Sequence, residues 1–238
     1  MQRNDLPVYI QVRDQLWSLI QEKELGSQER LPAERELAAR FDTTRVTVRQ
    51  ALGQLEAEGK IFRSNRRGWY VTPQRLIYEP SRDIGFYNTV TNQGFTPTTE
   101  TLSKQLTEVP VWLSKVSGLP VGAPIYQILR RRSIDGRPVV IEHNYINPAN
   151  CPGLLARDTD HSIWELLKDV YDLHPSQREI EIYPQALTGN EAEQLDTNSG
   201  SAGLFLQRLT KDKSGDFLEF DHEYWVHDAL TISVQVTE

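Results

Sequence analysis

Arg45, Arg49 and Gln50 recur at helical spacing on the side opposite Val48, Ala51, Leu52 and Leu55. Guanidinium forks on an outward helix face suit phosphate oxygens and base edges. A second set lies in the run Ile125 to Ile134, where strand alternation puts Tyr126, Ile128, Arg130, Arg132 and Ile134 on one face. Two arginines among apolar residues require a carboxylate, an anionic ligand or water, because an unpaired buried charge costs several kcal/mol. Glu142 is the nearest candidate partner. A three-residue loop over Asp135 to Arg137 places it opposite Arg130, and a two-residue loop turns it to the other face. A structural cross-strand ion pair and a ligand site both fit the pattern. No Ser/His/Asp set or metal-ligand cluster appears: His143, His161, His174, His222 and His227 are scattered. Cys151 is the only cysteine, which excludes an intramolecular disulfide and a cysteine-based zinc site, so neither a metal nor a cofactor is expected.

Helices and a hairpin must position the first set. Pro32 precedes a helix starting near Ala33, with Glu34 and Glu36 at its positive end. Asp42-Thr43-Thr44 breaks it and caps the next helix, which starts at Arg45. Gly59 suits a left-handed end, and Ile61-Phe62 and Trp69-Tyr70-Val71 flank the cationic turn Asn65-Arg66-Arg67-Gly68. A leading helix over Pro7 to Lys23, with Tyr9, Val12, Leu16, Leu19 and Ile20 on one face, completes a three-helix core. This order is that of a winged helix-turn-helix.

Charge divides along the chain. Residues 1 to 75 carry 13 Lys/Arg against 10 Asp/Glu, a net of +3, and residues 76 to 238 carry 13 against 23, a net of −10. The overall −7 therefore hides a basic first third, and the acidic remainder disfavours nonspecific contact with nucleic acid. We expect domains over residues 1–73 and 81–238, with 74–80 as a linker bracketed by Pro73 and Pro80. The second should be α+β with a mainly antiparallel sheet. Its expected strands are Thr98 to Glu108, a hairpin of Pro124 to Ile134 with Pro138 to Ile146, Arg178 to Leu187, Ala202 to Lys211, Phe217 to His227, and a final piece from Leu230. Helices are expected over Val109 to Ser117, from Ser162 to Tyr171, and after Thr188, where Thr188 and Glu191 have capping-box spacing. Trp112, Trp164 and Tyr171 read as core.

The first region resembles the DNA-binding domain of the GntR family of bacterial transcription regulators. The residues that carry the likeness are Leu31 to Ala38, Thr44 to Leu52 and Leu55 to Gly59. The resemblance implies that Arg35, Thr44, Arg45, Thr47 and Arg49 touch DNA, beside the outward Gln50, while the wing, with Arg66 and Arg67, reaches toward the minor groove. Arg66 stands where the family often has the first glycine of its wing turn. The second region resembles the UTRA effector domain of the HutC subfamily, which shares the chorismate-lyase fold. Its carriers are Arg130 to Arg132, Asp135 to Pro138, Glu142, Ser162 to Leu167, Arg178 and Glu219 to Asp228. It implies a pocket for a small anionic or sugar-like effector lined by Arg130, Arg132, Glu142, Ser162, Arg178 and Glu219. Ser162 opens a helix whose free N–H groups favour a phosphate, phosphonate or carboxylate, and Glu142 and Glu219 can accept from hydroxyls or an amine. Trp225 replaces a tyrosine common in relatives, and Val226 replaces an arginine. Thr89, read as lying in a loop, is a further candidate phosphate contact.

The reading is a ligand-responsive DNA-binding regulator rather than an enzyme. It is expected to be a cytoplasmic homodimer, to bind a near-palindromic operator as a repressor, and to be released by a phosphorylated sugar, phosphonate or carboxylate. Lyase-type catalysis on the second domain and constitutive DNA binding without an effector are the alternatives. No apolar run approaches a membrane span, and the first residues lack the apolar core of a signal peptide.

Overall fold

The computed structural model describes residues 6–22, 25–64, 67–82 and 84–236. The main division between its two compact units falls between Arg75 and Leu76.

The first unit contains helices α1 (Val8–Gln21), α2 (Glu34–Arg40) and α3 (Arg45–Ala57), followed by strands β1 (Ile61–Ser64) and β2 (Gly68–Val71). Helix α2 starts one residue later than Ala33, whose N–H donates to Glu36 Oε2 at 3.2 Å. Asp42 adopts φ 46°, and this left-handed residue supplies the tight turn into α3. Gly59 has φ 67°, as expected after α3. Val12, Leu16 and Ile20 meet Leu37, Val48, Leu52, Leu55 and Ile61 in one core. The strands pair antiparallel from Ile61↔Val71 to Ser64↔Gly68. Leu31 adds to β2 by donating its N–H to the Trp69 carbonyl at 2.8 Å.

The second unit is built on a six-stranded antiparallel sheet. Its strands are β4 (Pro97–Glu108), β5 (Pro124–Ile134), β6 (Arg137–Ile146), β7 (Gln177–Pro184), β8 (Gly203–Lys211) and β9 (Phe217–Val226), in the order β4-β5-β6-β9-β8-β7. Helix α6 (Ile163–Tyr171) packs Ile163 and Leu167 against Ile128 and Ile146 on one face. On the opposite face α5 (Val111–Ser117) packs Leu113 against Ile125, Leu209 and Phe220. Helix α7 (Gly189–Gln194) follows Thr188, but the Thr188 side chain makes no cap hydrogen bond, so the expected capping box is not formed.

Three local expectations are corrected. Leu76–Tyr78, placed in the linker by its flanking prolines, forms strand β3, parallel to β10 (Leu230–Ile232). The apolar Leu76 and Tyr78 are buried, which an exposed linker would not allow. Phe86–Asn92 forms helix α4, which places Thr89 in a helix rather than a loop. Threonine and asparagine have weak helix propensity, and the helix is only 7 residues long, so periodicity had little to register. The hairpin register matches neither simple alternative. Asp135 and Gly136, with φ 49° and 78°, make a two-residue turn, yet Arg130 still pairs with Glu142. A bulge between Arg132 and Ser133 inserts one extra residue opposite them and restores the facing.

Candidate functional site

Helix α3 presents Thr44, Arg45, Val46, Arg49 and Gln50 to solvent, with Thr47 half-buried. Thr44 is its N-cap: its Oγ1 accepts from the Thr47 N–H at 3.2 Å, and the two hydroxyls are hydrogen bonded at 2.9 Å. Arg49 Nε lies 2.6 Å from Glu34 Oε2, linking α2 to α3 while its side chain stays 65% exposed. Arg35 and Arg67 are exposed as well. Arg66 lies outside the described residues. The exposed arginines of α2, α3 and the wing belong to one unit and offer forked donors that a phosphate backbone can accept.

The second constellation lies on the α6 face of the sheet, in a cleft. Of the residues expected there, Thr89, Arg130, Arg132, Glu142, Ser162, Glu219 and Trp225 line it. Arg178 does not. It sits on edge strand β7 with its guanidinium 5.7 Å from the Trp164 ring. Trp164 and Tyr171 pack against the core beneath α6, as expected, and Trp164 also lines the cleft. Trp112 is not a core residue, being 41% exposed with its ring stacked on His222.

Arg130 is 2% exposed and fully engaged: Glu142 at 2.5 Å, Asn144 Oδ1 at 3.1 Å, and the Thr159 and His161 carbonyls at 3.2 and 3.0 Å. Arg132, at 13% side-chain exposure, forks onto both Glu142 oxygens at 2.9 and 2.8 Å and lies 4.9 Å from the Phe86 ring centre. Burial pushes the Glu142 carboxyl up, but the charges of Arg130 and Arg132 outweigh it and hold the group at about 2. The Ser162 hydroxyl caps α6, accepting from the Glu165 N–H at 3.2 Å. Ile163 and Trp164, whose N–H groups have no carbonyl one turn back within the helix, also line the cleft. Thr89 turns inward, donating its hydroxyl to the Gly85 carbonyl at 2.8 Å.

Asn144, Arg208, Asp221 and Glu223 are further polar residues of the lining and were not expected. Arg208 donates to Asp221 Oδ2 at 3.0 Å, approaches Glu223 Oε1 at 3.2 Å, and meets the Tyr78 hydroxyl at 3.1 Å. The Trp225 indole N–H donates to Glu223 Oε2 at 2.6 Å. Alternation along β9 was the available signal, since Glu219, Asp221, Glu223 and Trp225 share one face.

Burial and the neighbouring charge of Glu142 push the Glu219 carboxyl up to about 7 from an ordinary 4.5. A carboxyl that binds its proton more tightly when folded loses stability as pH rises from about 4.5 to about 7. Glu219→Gln removes that loss. The variant should exceed the parent by roughly 3 kcal/mol at pH 8 and nearly match it near pH 4.5. Urea unfolding at both pH values checks this, and a pH-independent difference would contradict it.

The pattern described as "Bacterial regulatory proteins, gntR family" matches residues 8–71, and that of the UTRA domain matches residues 92–231. The chain is 29% identical over 230 residues to the HTH-type transcriptional repressor NagR of Bacillus subtilis, covering 96% of this chain and 94% of that one. It is also 29% identical over 208 residues to the HTH-type transcriptional regulator YihL of Escherichia coli, covering 87% and 88%. The crystal structure of PhnF from Mycobacterium smegmatis shares the fold, with TM-score 0.67 and 24% identity over 95% of this chain and 99% of the other. No described helix is long and apolar enough to cross a membrane. With a GntR-type winged helix-turn-helix followed by a UTRA domain that spans more than half its length, the chain belongs to the GntR family of bacterial transcriptional regulators, in its HutC-type architecture.

Proposed function

We propose that this regulator is a repressor that binds a near-palindromic operator as a homodimer and leaves it when a small anionic effector fills the cleft. The α3 face is the base-reading surface, with Arg35, Thr44, Arg45, Thr47, Arg49 and Gln50 as contacts and Arg67 on the wing. Two-fold symmetric operators suit a dimer that presents one α3 per half-site.

The observation that carries the effector reading is the meeting of Arg132 and the start of α6 in one cleft. Ser162, Ile163 and Trp164 bring the positive end of the helix dipole to a site that also holds a partly accessible guanidinium. A phosphate, phosphonate or carboxylate fits that pair of features, and a phosphorylated sugar supplies hydroxyl donors for the acids beside it. Arg130, buried and held by Glu142, Asn144 and two backbone carbonyls, positions Glu142 rather than the effector.

Thermal unfolding against phosphorylated sugars, phosphonates and carboxylates tests the reading. A ligand at a hundred times its Kd should raise the midpoint by about 5 °C or more. Arg132→Ala should abolish the shift, and the same ligand should release DNA recovered by selection from a random duplex pool. A panel without any saturable shift would return weight to constitutive DNA binding.

A further inference from the structure

The cleft has a second pole that the anion does not explain. Glu219 and Asp221 lie two residues apart on the same face of β9, and each is 1% exposed. Glu219 Oε1 accepts from Asn144 at 2.9 Å and Asp221 Oδ2 from Arg208 at 3.0 Å. Their other oxygens, Glu219 Oε2 and Asp221 Oδ1, are buried and accept no hydrogen bond. Buried carboxylate oxygens seldom go without a donor, since the lost hydration is not replaced. Four acids, Glu142, Glu219, Asp221 and Glu223, line the cleft against three arginines, Arg130, Arg132 and Arg208. With every one of these groups ionised, the lining is one positive charge short of neutral.

We propose that Glu219 and Asp221 form a cation-accepting floor in the cleft, so that the effector carries a primary ammonium group as well as its anion. This rests on the reading of the cleft as the effector site. An ammonium brings hydrogen-bond donors together with a positive charge to a buried carboxylate, whereas a hydroxyl brings one donor and no charge. A hard divalent ion fits less well. Glu142, Asp221 and Glu223 come within 4.8 Å of one another, but guanidinium groups already engage all three, and such an ion requires six or more oxygens.

The test uses the full-length protein, inorganic phosphate, and ω-aminoalkyl phosphates of two to four carbons, each beside its ω-hydroxy counterpart. Calorimetric titration at pH 8 should show the amino member binding about tenfold or more tightly than the hydroxy member at the best chain length. Asp221→Asn and Glu219→Gln should each bring that ratio toward one. The matched pair in the parent protein decides the matter even where a variant folds poorly. Equal affinity for amino and hydroxy members overturns the ammonium floor and leaves the anion site standing. Failure of phosphate and every member of the series to bind overturns the effector reading of the cleft together with its floor.

Discussion

Glu142→Ala should destabilise the second unit by about 3–5 kcal/mol, the range for breaking a buried ion pair by removing one partner. Glu142 faces Arg130 at 2.5 Å and accepts a bidentate fork from Arg132, so one deletion strands two guanidiniums. Arg130 is 2% exposed, and the remaining partners, Asn144 and two backbone carbonyls, carry no charge to balance it. Urea unfolding followed by fluorescence measures the loss, with Trp112, Trp164 and Trp225 reporting on the second unit. Replacing Arg130 with Met and Glu142 with Leu together should recover part of the stability, because the fully buried guanidinium leaves with its partner and only the more accessible Arg132 loses its carboxylate. A loss below about 1 kcal/mol in Glu142→Ala would show that water or main chain shields the guanidiniums well enough, and would refute the argument from burial.

Arg49→Ala should weaken operator-specific binding by about 1–3 kcal/mol, or roughly five- to 150-fold, without unfolding the first unit. The side chain is 65% exposed and its ion pair to Glu34 sits at the surface, where such pairs contribute about 1 kcal/mol at most. Fluorescence anisotropy with selected and scrambled duplexes at several salt concentrations separates two roles. A guanine contact predicts lost discrimination between the duplexes. A phosphate contact predicts equal weakening on both and a salt slope smaller by about one ion. Unchanged affinity on both duplexes would remove Arg49 from the interface.

The first unit was largely legible because its signals are local. The spacing of Val48, Ala51, Leu52 and Leu55 sets the buried side of α3 wherever that helix packs, so the outward position of Arg45 and Arg49 follows from periodicity. Thr44 and Gly59 act through backbone geometry within a few residues. The wing strands were legible for the same reason, although Arg66 falls outside the described residues.

The cleft was legible strand by strand. Alternation placed Arg130 and Arg132 on one face of β5, and the polar start of α6 was readable at Ser162. What remained hidden depends on contacts between distant segments. The bulge that turns Glu142 toward Arg130 is one extra residue in a ladder, and no turn rule specifies it. The pairing of β3 with β10 joins Leu76 to Leu230, far beyond the reach of local propensity. Arg178 shares the cleft face by alternation, yet its position on edge strand β7 leaves it over Trp164 instead.

The sequence by itself determined most of the elements, the basic first unit, the outward face of α3 and the family, because these rest on residue types and spacing within single segments. Tertiary structure alone decided which charges meet. It set Arg208 against Asp221 and Glu223, bound both arginines of β5 to one carboxylate, and left an oxygen of Glu219 and one of Asp221 without donors. Ion pairing inside a cleft depends on distances between strands and on shared burial, and both exist only once the sheet has closed.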